Sequence, residues 1–163
     1  MDITYKSFDH KPDLYRYILE QVEPTWAETG DLTAALANTS AILMLLMPQL
    51  NWAGFYLMKG GALVLGPFQG KPAVAHIEVG AGVCGTAVAQ RETQLVENVH
   101  KCCNHIACDL ATNSELVVPI FTGEEIFGVI DLDSPVTDRF DEEDRAGIEA
   151  LAAALGHLVT EKG

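Results

Sequence analysis

The chain has 163 residues, nearly half of them hydrophobic and about a fifth charged, with a formal net charge of −13. That composition belongs to a globular domain with a substantial core, and its acidity (pI ≈ 4.6) opposes nucleic acid and anionic lipid surfaces as partners. The N-terminal Met1 to Lys6 carries no basic segment followed by an apolar run, and the most apolar stretch, Ala41 to Met47, is too short to span a bilayer.

A cytoplasmic location is therefore expected, where the four cysteines, Cys84, Cys102, Cys103 and Cys108, should be free thiols. Their spacing lacks the paired C-x2-C pattern of a zinc site. No metal or cofactor is expected, and redox or nucleophilic thiol chemistry is the better reading.

In chain order, Leu14, Ile18 and Val22 recur at helical spacing, and Pro12-Asp13 suits a first turn. They predict a helix from Lys11 to Glu28, interrupted near Pro24. Asp31 is placed to cap a second helix to about Met47, with Leu32, Leu36, Ile42, Leu43, Leu46 and Met47 on a broad buried face, ended by Pro48. The aromatic-rich Asn51 to Met58 reads as a strand, and Lys59-Gly60-Gly61 turns it into a return strand at Ala62 to Leu65. Gly66 to Pro72 reads as a rigid connection. Val74 to Val79 alternates as a strand does, which leaves His76 facing water.

Gly80 to Thr86 leads into a short helix from about Cys84 to Gln90, and its glycines match neither a Walker-type nor a dinucleotide-binding loop. A cysteine near a helix start gains thiolate stabilisation from the helix dipole, whereas a small packed apolar residue is an equally good reading of Cys84. Thr93 to Glu97 reads as a short strand. Asn98 to Thr112 shows no periodicity and is long for a connection without function; it contains His105-Ile106-Ala107-Cys108-Asp109, where a loop cysteine is placed to do chemistry. Glu115 to Phe121 and Glu125 to Asp133 form a second hairpin around Thr122-Gly123-Glu124. Asp131 and Asp133 share one face of their strand, and Glu115 starts its neighbour, so three carboxylates can converge at one end. Asp141 to Asp144 opens a closing helix to about Thr160, with Leu151, Leu155 and Leu158 on its buried face. Without repeat or linker, residues 1–163 are expected to be one domain of the α+β class, an antiparallel sheet of about six strands flanked by helices.

Five motifs lie in register along the chain: Gly66-Pro67-Phe68-Gln69-Gly70, Gly82-Val83-Cys84-Gly85-Thr86-Ala87, His105-Ile106-Ala107-Cys108-Asp109, Ser114-Glu115, and Gly128-Val129-Ile130-Asp131-Leu132-Asp133. Together they resemble the free methionine-(R)-sulfoxide reductases, single GAF-domain enzymes. The resemblance implies reduction of free methionine-R-sulfoxide to methionine, electrons returned by thioredoxin, and a homodimer. It implies Cys108 and Cys84 as the catalytic pair, and Trp52, Tyr56, Glu115, Asp131 and Asp133 as substrate-binding residues. On their own, Trp52 and Tyr56 read as core aromatics.

The chemistry accounts for this set. A thiolate attacks the sulfoxide sulfur while the oxygen takes a proton, giving methionine and a cysteine sulfenic acid. A second thiol condenses with it to a disulfide, which an external dithiol reduces. One departure from the family pattern stands out: its usual third cysteine position holds Val74, so the partner of Cys108 is left among Cys84, Cys102 and Cys103. That departure also motivates the competing reading, a GAF-type module that senses a small molecule or redox state without turnover.

Overall fold

The computed structural model describes residues 2–101 and 110–162. Two helices open the chain, α1 (Lys11–Thr29) and α2 (Leu32–Leu46). α1 runs without interruption through Pro24, against the break expected there. Pro24 and Glu20, whose carbonyl loses its partner to the proline, both lie on the solvent side, where water can take the freed oxygen. Beyond them Thr25 and Trp26 are buried and hold the last turns in place. α2 starts as expected, with Asp31 Oδ1 accepting from the Ala34 amide at 2.8 Å.

The first hairpin is β1 (Trp52–Lys59) and β2 (Ala62–Gly70), so the segment read as a rigid connection is the second half of a strand. Gly54 pairs with Phe68 and Tyr56 with Leu65, which leaves Gly66 and Pro67 opposite Phe55 alone. This bulge accommodates a proline that cannot donate to the ladder. Only His76–Ile77 of the next segment forms a strand, β3, and His76 is exposed as expected. The helix α3 (Gly82–Gln90) begins two residues earlier than the sequence pattern indicates, with Gly82 at φ +61° in the left-handed region open to glycine. β4 (Gln94–Val96), a short 3₁₀ turn (Val99–Lys101), β5 (Ser114–Thr122), β6 (Glu125–Ser134) and α4 (Glu142–Lys162) complete the order.

The strands form one antiparallel six-stranded sheet in the order β3-β2-β1-β6-β5-β4. This is the α+β architecture expected from the sequence. α2 packs on β1 and β2, α4 on β5, and α1 lies against both helices. Ala53, Phe55, Leu116, Val118, Ile120, Ile130 and Leu132 point from the sheet into this layer and meet Ile18, Trp26, Leu43, Leu151 and Leu155. Because side chains alternate along a strand, the residues between them emerge on the opposite face. There a second, smaller apolar cluster of Trp52, Tyr56, Leu63, Ile77, Val83, Ala87, Val117 and Val129 surrounds Cys84.

The chain reaches that second face by one crossing. β3 and β4 sit at opposite edges of the sheet, and α3 spans the distance between them, contacting β3, β4, β5 and β6. The close fit of α3 depends on Gly85: a Cβ there would lie 2.4 Å from the Glu78 carbonyl oxygen.

Candidate active site

The register of the central strands sets out the site. Trp52 of β1 lies opposite Asp133 of β6, which lies opposite Glu115 of β5. One step along, Gly54 lies opposite Asp131, and Asp131 opposite Val117. Three carboxylates therefore emerge side by side on the face that α3 covers, and all three are buried, Glu115 at 5% exposure and Asp131 and Asp133 at 6%. The convergence expected from the strand pattern is present.

α3 brings the thiol to them. Cys84 sits in its first turn with 3% exposure, and its Sγ donates to Asp131 Oδ2 at 3.3 Å. Cys84, the three carboxylates, Tyr56, Ile77, Gly82 and Val83 line a small cleft. It offers about 20 Å³ to the centre of a water-sized body, enough for a water molecule. A larger groove, about 640 Å³, lies between β5 and α4 near Arg91 and Arg145. No cysteine among the described residues lines it, and its acids, Glu92 and Glu149, are not buried, so the smaller cleft is the better candidate site.

The electrostatics of the cleft follow from crowding acids out of water. Burial, reinforced by the Asp133 carboxylate, holds Glu115 well above the usual carboxyl range. Burial and the neighbouring Glu115 do the same to Asp131. Both carboxyls are thereby biased toward their neutral, proton-donating form. Cys84 is pushed upward as well, by burial first and then by Asp131 and Glu115. Of the two readings of Cys84 left open by the sequence, its burial favours the packed residue over the dipole-stabilised thiolate: the positive end of a nine-residue helix does not outweigh desolvation beside carboxylates.

The two aromatic residues are fixed from outside the sheet. Trp52 Nε1 donates to the Lys71 carbonyl at 3.1 Å, and Tyr56 Oη donates to the Val74 carbonyl at 2.9 Å. Their rings stack with centroids 6.0 Å apart, and Trp52 stacks on Phe68 at 5.1 Å. Tyr56 reaches the cleft itself; Trp52 stands behind it in the same cluster. Val74 thus contributes a backbone acceptor where the family pattern places a thiol. Neither the segment around Lys71 to Val74 nor the lining residues Ile77 and Val83 carried a chemical signal in the sequence, because backbone carbonyls and aliphatic walls have none.

Cys108, with Cys102 and Cys103, lies outside the described residues. The ends of that segment are described. The Val99 amide donates to the Asn113 carbonyl, the Asn113 amide to the Ser134 carbonyl, and His100 Nε2 lies 2.9 Å from Asn113 Oδ1. Val99 and His100 are therefore tied to Asn113, the residue before Ser114 and Glu115 of β5. Among the described residues, Cys84, Glu115 and Asp131 present one group that could hold a metal ion, with ligand atoms within 4.8 Å of one another.

The GAF domain family model matches residues 13–160. A free methionine-R-sulfoxide reductase of Escherichia coli K12 is 47% identical over 146 residues, 90% of this chain and 88% of that one. The X-ray structure of free methionine-R-sulfoxide reductase from Neisseria meningitidis in complex with its substrate superimposes with a TM-score of 0.92 at 40% identity, covering 99% of this chain and 97% of that one. The crystal structure of a putative GAF sensor protein from Burkholderia vietnamiensis gives a TM-score of 0.89 at 47% identity, over 94% and 98% of the two chains.

Proposed function

The chain belongs to the GAF-domain family of free methionine-(R)-sulfoxide reductases, and from that premise we propose that it reduces free L-methionine-(R)-S-oxide to L-methionine by cysteine-thiol chemistry. The observation that carries this reading is the convergence of Glu115, Asp131 and Asp133 beside Cys84 in one cleft. A free amino acid brings an ammonium group that a peptide-bound residue lacks, and three buried carboxyls crowded at one cleft suit it. Binding of that cation offsets the repulsion that otherwise keeps them protonated.

Cys108 is the first nucleophile in this reading. Its thiolate attacks the sulfoxide sulfur, the S–O bond breaks, and the oxygen leaves on the cysteine as a sulfenic acid with a proton from a neighbouring carboxyl. Glu115 and Asp131, held neutral by burial, are suited to supply that proton. Cys84 then condenses with the sulfenic acid, forming the disulfide and releasing water, and thioredoxin returns two electrons by thiol–disulfide exchange. A buried thiol kept protonated is a poor first nucleophile, which favours Cys84 as the resolving partner. Tyr56 at the cleft, backed by the stacked ring of Trp52, packs against the methyl and methylene groups. Reductant, homodimeric assembly and a cytoplasmic location come with the family; no helix among the described residues is long and apolar enough to cross a membrane.

Turnover of the two free methionine sulfoxide epimers, with thioredoxin, its reductase and a nicotinamide donor, tests this directly. The R epimer should be consumed through many cycles, the S epimer and peptide-bound sulfoxide slowly, and Cys108→Ser should abolish turnover. Equal rates on both epimers would refute the specificity, and full turnover by Cys108→Ser the nucleophile. The kinship to a protein described as a putative GAF sensor favours one second reading, a module oxidised once without turnover. A single stoichiometric oxidation despite excess thioredoxin would select it.

A further inference from the structure

The described chain on either side of the Cys108 segment meets in one knot of hydrogen bonds, and a single residue ties most of it. The Val99 amide donates to the Asn113 carbonyl at 2.9 Å, and the Asn113 amide to the Ser134 carbonyl at 2.8 Å. Asn113 Nδ2 donates to the Pro135 carbonyl at 2.6 Å and, at 3.5 Å, to the Ala111 carbonyl. These acceptors hold the nitrogen of the side chain, so its oxygen is turned toward His100, whose Nε2 stands 2.9 Å away. An acceptor in that position requires Nε2 to carry the proton, and His100 is therefore the donor. One residue earlier, the buried Thr112 accepts from Asn51 Nδ2 at 2.9 Å, and the Asn51 amide donates to the Asp133 carbonyl at 3.0 Å.

We propose that His100 and Asn113 are positioning residues: their clasp closes the neck of the segment that bears Cys108, so that its thiol is presented first to substrate and then to Cys84. This rests on the function proposed above, in which Cys108 attacks and Cys84 resolves. Neither residue lines the cleft; both act through Cys108. A lone histidine–asparagine contact on an exposed surface would mean little. Here every polar group of Asn113, backbone and side chain, is committed to the neck. The neck is in turn joined to the wall of the site. Glu115, two residues after Asn113, lines the cleft, and Ser134, which accepts from Asn113, directly follows the lining residue Asp133.

Chain connectivity sets the scale. Cys108 is five residues from Asn113 and eight from His100, and five residues span at most about 17 Å when fully extended. The tether at Asn113 alone keeps the thiol within that radius, and the second tether at His100 cuts the volume open to it. Joining both ends at one point therefore raises the effective concentration of the thiol over the cleft. Without the His100 donor, the 3₁₀ turn keeps its own bonds, from the Lys101 amide to the Asn98 carbonyl and from the His100 amide to Asn98 Oδ1, and the Val99–Asn113 bond remains. The fold should survive while the stem beyond Val99 loosens. Glutamine at this position carries an Nε2–H donor at similar reach and should restore the clasp; alanine should not.

Two readouts separate the clasp from general stability, with circular dichroism melts reporting that each variant folds. In the first, the fully reduced full chain is mixed with methionine-R-sulfoxide over a range of concentrations, without reductant, and the single-turnover rate of methionine formation is followed. His100→Ala should lower the limiting rate about three- to tenfold, the worth of one hydrogen bond, at an unchanged half-saturating concentration, and His100→Gln should restore it. In the second, the full chain carrying Cys102→Ser and Cys103→Ser, with Cys84 and Cys108 left of four cysteines, is equilibrated in glutathione redox buffers. Glutathione disulfide takes two electrons from the two thiols, which join as a disulfide, and leaves as two glutathione thiols. The effective molarity of the Cys84–Cys108 pair should fall by a similar factor in His100→Ala and recover in His100→Gln. An unchanged rate and effective molarity in His100→Ala overturn the clasp and leave the function standing. So does a raised half-saturating concentration at an unchanged limiting rate, which would make His100 a binding residue, or a loss that glutamine fails to rescue. A wild type that leaves the sulfoxide untouched, yet whose effective molarity falls with alanine and recovers with glutamine, refutes the function and upholds the clasp. A wild type that forms no Cys84–Cys108 disulfide overturns the clasp, there being then no thiol pair to position.

Discussion

Asp131→Asn should make the protein more stable, by an amount that grows with pH. Asp131 is 6% exposed, faces Glu115 and Asp133, and is held above the ordinary carboxyl range by burial and by Glu115. In the unfolded chain an aspartate ionises near pH ~3.9. Above that pH the unfolded state has lost a proton that the folded state retains, so folding must take one up. The sign follows: a raised folded pKa stabilises fully below the unfolded value and loses that contribution as pH rises toward the folded value. Each retained proton costs about 1.4 kcal/mol per pH unit over that window. Asparagine has no proton to take up, so the wild type should fall behind the variant by about 1.4 kcal/mol for each pH unit above ~4 until the folded carboxyl itself ionises. Urea unfolding of both proteins at half-unit pH intervals, under reducing conditions and monitored by circular dichroism, measures the difference. Asp141, which burial raises but which the hydrogen bonds of Lys11 and Asp144 and the charge of Lys11 together hold down to about 2, contributes with the opposite sign and cancels between the two proteins. A stability difference that is flat with pH, or that favours the wild type increasingly as pH rises, would refute the crowded-acid picture of the cleft.

Three further outcomes follow from the packing. Asp144, fully buried, accepts from Tyr15 Oη at 2.6 Å, Lys11 Nζ at 2.7 Å and Arg139 at 3.2 Å, so Asp144→Ala should cost about 3–5 kcal/mol in urea unfolding by stranding its partners. Gly85→Ala should destabilise by about 1–3 kcal/mol in the same assay despite alanine's better helix propensity, because its methyl would meet the Glu78 carbonyl. Tyr56→Phe removes the hydroxyl that donates to the Val74 carbonyl and should lower the thermal unfolding midpoint by the equivalent of about 1 kcal/mol.

The sequence made the second hairpin legible because its alternation is uncompromised: Asp131 and Asp133 are polar beats in an apolar strand, and Glu115 enters the adjacent strand at the right phase. The same alternation failed for β2, since Gly66-Pro67 has the composition of a connection and the bulge opposite Phe55 is decided by pairing with β1. Pro24 misled for a related reason. Its cost depends on whether water reaches the freed carbonyl, which is a property of the packed helix and not of the residue. Cys84 shows the limit of local reasoning most clearly: its position at a helix start was readable and left two readings open, but the carboxylates that join burial in raising its thiol come from strands about thirty and fifty residues further on.

The pairing of β1 with β6 bears on how the molecule reaches its native state. Trp52 and Asp133 become neighbours across roughly eighty residues of chain, a long loop to close before any contact rewards it. Each hairpin can form from local contacts, yet neither contains the site, since Trp52 and Tyr56 belong to one and all three carboxylates to the other. Zipping β1 to β6 is therefore a step the pocket requires, and α3 docking over the joined strands then takes its acids out of water. Folding intermediates with both hairpins formed but unjoined would be free of that penalty and unable to bind ligand. Hydrogen exchange of the β1–β6 amides should accordingly report global unfolding, and the pocket should vanish with it as a unit.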